Sequence, residues 1–278
     1  MDGLAYGAMP EAAIRALARR PLALCHHPLA HEPGLQPSVA ARLRESERAA
    51  LALSAHVFVT SAETKRTLLA EFGLADEKVT VAPPGLDHAK PARGRAGAPT
   101  VLCVASFTPR KGHLALVAAL AMLPPEVEWR AVFSGPEDRS PETAAAVRRA
   151  VAEAGLGGRI EFAGAGSRGA LDRLYDEATI FALASTYEGY GMVFAEAMMR
   201  TLPIAAFDLP TLREMAPPEA LRLAPMGDVA ALSVAIEGLL RDPAARREAG
   251  AAGRRAALAM PGWEGSWEIV RGALERMG

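Results

Sequence analysis

Residues 180–196 read Ile180-Phe-Ala-Leu-Ala-Ser-Thr-Tyr-Glu-Gly-Tyr-Gly-Met-Val-Phe-Ala-Glu196. An apolar run of strand length ends in a turn carrying Gly189 and Gly191, and a helical pattern with Met192, Val193, Met198 and Met199 follows. A strand that enters a helix through a glycine turn is the unit of a doubly wound parallel sheet. In such sheets ligands lie beyond the carboxyl ends of the strands. Glycine lets the backbone approach a ligand, and a helix start offers unpaired amides with partial positive charge. The turn therefore suits a phosphate or a sugar hydroxyl. Glu188 falls in the turn and Glu196 in the second turn of the helix. A carboxylate accepts two hydrogen bonds at once, so either can hold a vicinal diol.

The same alternation runs along the chain. Short apolar runs at 21–25, 56–60, 79–82, 100–105, 129–134, 159–163, 179–184, 203–207 and 221–223 read as strands. Helical stretches at 39–54, 62–72, 112–123, 141–153, 170–176, 191–201, 229–240, 243–260 and 264–277 separate or follow them. Between 83 and 100 the chain is rich in Pro, Gly and charge and has no apolar period, which marks a boundary. The expected organisation is a partial Rossmann-like domain over 1–90, a linker over 91–99, a complete doubly wound domain over 100–245, and helices over 246–278 that pack back toward the N-terminal part. Three strands in the first segment are too few for a full unit and leave an edge and a face uncovered. Thr60 with Glu63 reads as a capping box for the helix that follows, and Trp129, Trp263 and Trp267 read as packing residues.

A second motif, Phe107-Thr-Pro-Arg-Lys-Gly-His113, follows the strand at 100–105 and opens the next helix. Arg110 and Lys111 then sit where a helix macrodipole disfavours cations, and an anion held between them and the helix start resolves the conflict. A third, Cys25-His-His-Pro-Leu-Ala-His-Glu32, ends another strand. His26 and His27 are adjacent and face apart in an extended chain, and no DxD or HExxH accompanies them, so no metal is expected. A histidine at a strand end serves better as a base or hydrogen-bond donor near neutral pH.

Composition bounds the rest. Of 278 residues, 50% are hydrophobic and 23% charged, enough for a real core. A formal net charge of −1 gives no footprint for nucleic acid. Cys25 and Cys103 are the only cysteines, which suits a reducing compartment. The start lacks the apolar core of a signal peptide, and no run approaches the ~18 apolar residues of a membrane span. A cytoplasmic protein is expected, with peripheral membrane contact open.

These pieces together resemble family 4 of the retaining glycosyltransferases, which have the GT-B architecture. The family's two glutamates match Glu188 and Glu196 with Glu-Gly-Tyr-Gly between them, and its Pro-x-Lys-Gly loop matches Pro109-Arg-Lys-Gly112. The stretch Val57-Phe-Val-Thr-Ser61, then Phe72-Gly-Leu74 and Lys78-Val-Thr-Val-Ala-Pro-Pro-Gly-Leu-Asp87, is similar to the family's passage from first domain to second. The resemblance implies an α/β fold of GT-B type, with one complete Rossmann-like domain and an incomplete N-terminal one. It implies transfer of a hexose from a nucleotide-diphosphate sugar to a glycan or lipid-linked acceptor, without metal or resident cofactor. An inactive homologue that only binds the sugar nucleotide is the alternative.

Carried over by motif, Lys111 pairs with the donor pyrophosphate, with Arg110 beside it, and Glu196 holds the ribose hydroxyls. Glu188, Gly189, Tyr190 and Gly191 face the donor sugar and phosphate. His26, with His27 as the adjacent candidate, lies near the sugar; His26, Glu188 and Lys111 are the catalytic set. Two departures stand out. Ser106 occupies the place of the family's usual Arg, a loss of about 1.5–3 kcal/mol, or roughly ten- to a hundredfold in diphosphate binding, unless Arg110 turns inward. Full-length relatives also begin earlier, and Met1-Asp-Gly-Leu-Ala-Tyr-Gly looks like an internal family segment, so a late start is expected. Paired carboxylates also serve glycosidases, a role that the basic loop argues against.

Overall fold

The computed structural model describes residues 1–32 and 34–277. In chain order the first elements are α1 (Gly3–Gly7), α2 (Glu11–Arg15), β1 (Leu22–Cys25), α3 (Pro37–Leu53), β2 (His56–Val59), α4 (Ala62–Phe72) and β3 (Val79–Val81). Then come β4 (Thr100–Val104), α5 (His113–Ala121), β5 (Arg130–Ser134), α6 (Pro141–Glu153), β6 (Ile160–Gly164), α7 (Arg168–Glu177), β7 (Ile180–Leu183) and α8 (Met192–Met199). The chain ends with β8 (Ile204–Phe207), α9 (Pro210–Met215), β9 (Leu221–Ala224), α10 (Val229–Arg241), α11 (Pro243–Leu258) and α12 (Trp263–Glu275). The nine strands among the described residues fall on the apolar runs of the sequence. The short helices α1, α2 and α9 do not announce themselves, because five or six residues are too few to display a helical period. No helix among the described residues is long and apolar enough to cross a membrane.

The chain divides into two compact units, the first being Met1–Gly85 with Glu188–Tyr190 and Pro261–Gly278, the second Leu86–Tyr187 with Gly191–Met260. Helix α11 thus belongs to the second unit and α12 to the first.

In the first unit β1, β2 and β3 pair in parallel, in that order. Met1 and Asp2 extend this sheet by a parallel bridge to Leu24. One face, with Ala23, Cys25, Val57 and Val59, packs on Tyr6, Ala50, Leu51, Leu68 and Phe72 from the helices. The other face, with Leu22 and Phe58, takes Val270, Ala273 and Leu274 of α12. That leaves Trp263 and Trp267 at 60% and 58% exposed, on a groove of about 530 Å³ that also touches Leu24 and His26. Packing roles expected for these two tryptophans are therefore corrected: α12 spends its apolar stripe one turn further on. Trp129 is buried as expected. The cap of α4 is likewise Ser61, whose Oγ accepts the Thr64 amide at 3.1 Å, and not Thr60. Thr60 lies in the bend between β2 and this cap, and Glu63 pairs instead with Arg66.

The second unit is a six-stranded parallel sheet in the order β6-β5-β4-β7-β8-β9. Every residue of β7 and β8 is buried, as continuous apolar runs require when both faces are covered, whereas the edge strand β6 alternates buried and open positions. From β4 the chain builds outward through β5 and β6, then returns to place β7 on the opposite side of β4. Strand order reverses there, and in open parallel sheets ligands bind outside the carboxyl ends of the strands at such a point.

Gly112 tests how tightly this point is packed. It has φ 66°, and a Cβ there would lie 1.9 Å from the Ala184 carbonyl oxygen. Gly155 has nearly the same backbone, φ 68°, in open space. Urea denaturation should show Gly155→Ala costing about 1 kcal/mol of left-handed strain, and Gly112→Ala costing about 3 kcal/mol or more, since backbone must move as well. Equal costs would contradict the close approach.

Candidate functional site

At the reversal, the loops after β4 and β7 are joined. The Thr186 amide donates to the Arg110 carbonyl at 2.9 Å, and Arg110 Nη1 donates to the Tyr187 carbonyl at 3.0 Å. Residues Pro109–Lys111 form a single 3-10 turn, and Gly112, in the left-handed region, starts α5. Gly191, with φ 94°, starts α8 the same way. Neither helix has a side-chain cap. Two adjacent helices therefore begin at the carboxyl ends of neighbouring strands with their first amides uncapped by side chains, a ready anion site.

Lys111 and Gly191 thus sit at the openings of the two helices. Arg110 is turned toward the Tyr187 carbonyl, so at least part of its guanidinium braces the loop pair. Glu196 lies in the second turn of α8 and is half-buried. Its Oε2 accepts the Tyr175 hydroxyl at 3.0 Å. Tyr175 is fully buried, and burial together with the Glu196 charge holds its phenol far above the ordinary value, so it remains a donor. Arg200 stacks over the Tyr175 ring at 4.5 Å, donates to the Glu196 carbonyl at 3.2 Å and pairs with Asp172 at 2.5 Å. The carboxylate is fixed by a chain of contacts from α7 and from its own helix. Sequence reasoning missed Tyr175, Arg200 and Asp172. No motif marks them, because their partners lie on other elements far along the sequence.

His113, the first residue of α5, is 1% exposed, stacked on Phe107 at 4.3 Å and edge-on to Phe133. Neither ring nitrogen has a hydrogen-bond partner among the described residues. Burial, then the nearby Lys111 charge, pushes its pKa down to about 4.

The remaining motif residues lie in the first unit. Glu188 is 7% exposed, contrary to a solvated loop residue. Gly189 fits because a Cβ there would meet the His26 carbonyl oxygen at 2.1 Å. Thr60 Oγ1 donates toward the His26 and Gly189 carbonyls at 3.4 Å. Burial raises the Tyr190 phenol. His26 Nε2 lies 3.3 Å from Asp2, and His27 Nε2 lies 3.1 Å from Glu32. Among the described residues no group of three or more His, Cys, Asp or Glu is arranged to hold a metal.

With this geometry in place, the likenesses to known proteins fall into line. The model of Glycosyl transferases group 1 matches residues 88–256, and that of Glycosyltransferase Family 4 matches residues 5–90. The chain belongs to the group 1 glycosyl transferases. It is 26% identical over 265 residues to the MMP alpha-(1->4)-mannosyltransferase of Mycolicibacterium hassiacum, covering 87% of this chain and 62% of that protein. Sucrose-phosphate synthase from Thermosynechococcus elongatus superposes with TM-score 0.81 at 26% identity, over 95% of this chain and 69% of that one. Anabaena HepE, solved with UDP and glucose, gives 0.82 at 20% identity, over 96% and 74%. The fold expected from the motifs, α/β of GT-B type, is thereby shown, and the chain spans 62% of its curated relative's length.

In this group 1 transferase, acid should unfold the second unit through His113. Its folded pKa lies below the unfolded value of 6.5, so stability is intact above 6.5 and is lost as pH falls toward about 4. The loss is on the order of 3 kcal/mol, and His113→Phe should flatten it. Ring resonances of His113 that titrate near 6.5 in NMR would contradict its burial as a neutral group.

Proposed function

We propose that the chain is the sugar-nucleotide-binding portion of a retaining, metal-independent glycosyltransferase that moves a hexose to a glycan or lipid-linked acceptor. The observation that carries this is the strand reversal between β4 and β7, where two helices without side-chain caps open beside Lys111. A diphosphate carries the charge such amides and a lysine complement. The mannosyltransferase name of one relative and the UDP and glucose held by HepE support a nucleotide-sugar donor.

The roles follow the family resemblance. Lys111 pairs with the pyrophosphate, with Arg110 beside it, and stabilises the diphosphate as the glycosidic bond breaks, aided by backbone amides aimed at the developing charge. Glu196, held by Tyr175, grips the ribose diol. Glu188 and the amides of Gly189, Tyr190 and Gly191 address the donor sugar and phosphate, and His26 lies beside the sugar. The acceptor's hydroxyl attacks the anomeric carbon on the face the diphosphate leaves, and a diphosphate oxygen takes the hydroxyl's proton. No resident cofactor or metal enters this scheme. Cytoplasmic placement, with at most peripheral membrane contact and no nucleic-acid partner, accompanies it. Ser106 favours a second reading, a binding module without turnover, because one phosphate cation of the family is replaced by a hydroxyl.

Calorimetry with UDP and GDP tests the reading. One of them should bind, and Lys111→Ala and Glu196→Ala should each weaken it about ten- to a hundredfold. Tyr175→Phe should weaken it about tenfold or less. Neither nucleotide binding, or both variants binding as the parent does, would overturn it. Binding without transfer from UDP-glucose or GDP-mannose would select the module.

A further inference from the structure

A buried carboxylate stands apart from all the motifs. Glu47 lies on the inner side of α3 at 1% exposure, beside Ala50 and Leu51 of the first unit's core. Its Oε2 accepts the Leu29 amide at 2.8 Å. Its Oε1 lies 3.9 Å from the Cys25 thiol, which donates to it. Gly7 leaves room for its stem, since a Cβ on Gly7 would stand 3.1 Å from the Glu47 Cγ. An apolar side chain would fill this place at less cost, because burying a carboxylate is unfavourable unless its partners are strong. Such a breach of local rules marks function more often than stability.

What the carboxylate holds is the loop that carries His26. Leu29 is three residues beyond His26, in the short turn Leu29–His31. At the other end of the loop the His26 carbonyl is closed in by Thr60 Oγ1 and by the backbone of Gly189. We propose that Glu47 is a positioning residue for the transfer reaction: by accepting the Leu29 amide it sets the backbone from which His26 projects. The proposal rests on the role given to His26 above. Glu47 touches no part of the proposed site and acts only through the loop.

The groups around Glu47 define its response to pH. They are the Cys25 thiol on β1 and the Tyr6 phenol on α1, which donates to the Ala50 carbonyl at 2.8 Å. The loop adds His27 and His31, paired with Glu32 and Glu71, and α2 faces α3 with the exposed Glu11–Arg15 pair. Asp2 adds a charge that raises the Cys25 thiol. Burial holds Glu47 up at about 7, against the pull of the Leu29 and Cys25 hydrogen bonds. Since this carboxyl is raised, its contribution to stability is present below the unfolded value of 4.5 and lost as pH rises through about 7. The grip on the Leu29 amide changes in the opposite sense, because an ionised acceptor makes the stronger bond. Loop order therefore rises over the pH range in which fold stability falls.

NMR of the whole chain, titrated across neutral pH, separates these effects. The amides of Leu29 and Gly189 should share an inflection near 7. Glu47→Gln, which keeps the shape and an acceptor but not the charge, should abolish that shared inflection. Glu47→Asp, which keeps the charge but draws it back by one methylene, should weaken it and serves if the first variant folds poorly. His26 and Gly189 signals indifferent to both variants would overturn the proposal. With donor sugar supplied as UDP-glucose or GDP-mannose, Glu47→Gln should lower kcat about tenfold and leave diphosphate affinity unchanged. Loss of nucleotide binding by the parent chain would instead strike the functional reading, leaving the loop coupling to be judged by NMR alone.

Discussion

The second unit is governed by the reversal of strand order between β4 and β7. A parallel sheet sends each strand into a helix at its carboxyl end, and the reversal sets two such turns side by side. The Arg110 and Thr186 hydrogen bonds tie the two loops together, and Gly112 allows the backbone to come against Ala184. With the loops so tied, the openings of α5 and α8 are fixed relative to each other, and Lys111 and Gly191 with them. The rest of the site is support: Tyr175, Arg200 and Asp172 hold Glu196 from below.

The first unit follows the same logic at smaller scale. Its three strands end in Cys25, Val59 and Val81, and the loop after the first carries the histidines. That loop is held by a buried glutamate at one end and by a threonine and a glycine at the other. Both units use irregular backbone at strand ends; the second fastens it by hydrogen bonds from loop to loop, the first by Thr60 and by Glu47 of α3.

Much of this was legible in the sequence because central parallel strands are unbroken apolar runs. β7 and β8 are buried at every position, and β7 runs from four such residues into the turn that holds Gly189 and Gly191. The two glycine turns and the lysine loop were legible for the same reason, since a backbone that needs open space selects glycine. What escaped was held by side chains whose partners are distant in sequence. Tyr175 meets Glu196 across two elements, and Glu47 meets Leu29 across the first unit's core. Each lies in an ordinary helical pattern that says nothing of its partner. The exposed Trp263 and Trp267 were misread because residue type alone does not say which stripe of α12 faces the sheet.

The central claim is that a diphosphate is bound by the two helix openings at the strand reversal. Backbone amide shifts recorded while UDP or GDP is added test it most directly. The account predicts that the largest changes fall on residues 111–113 and 191–193, at the starts of α5 and α8. Changes confined to other parts of the sheet, with those six amides unmoved at saturating nucleotide, would contradict it.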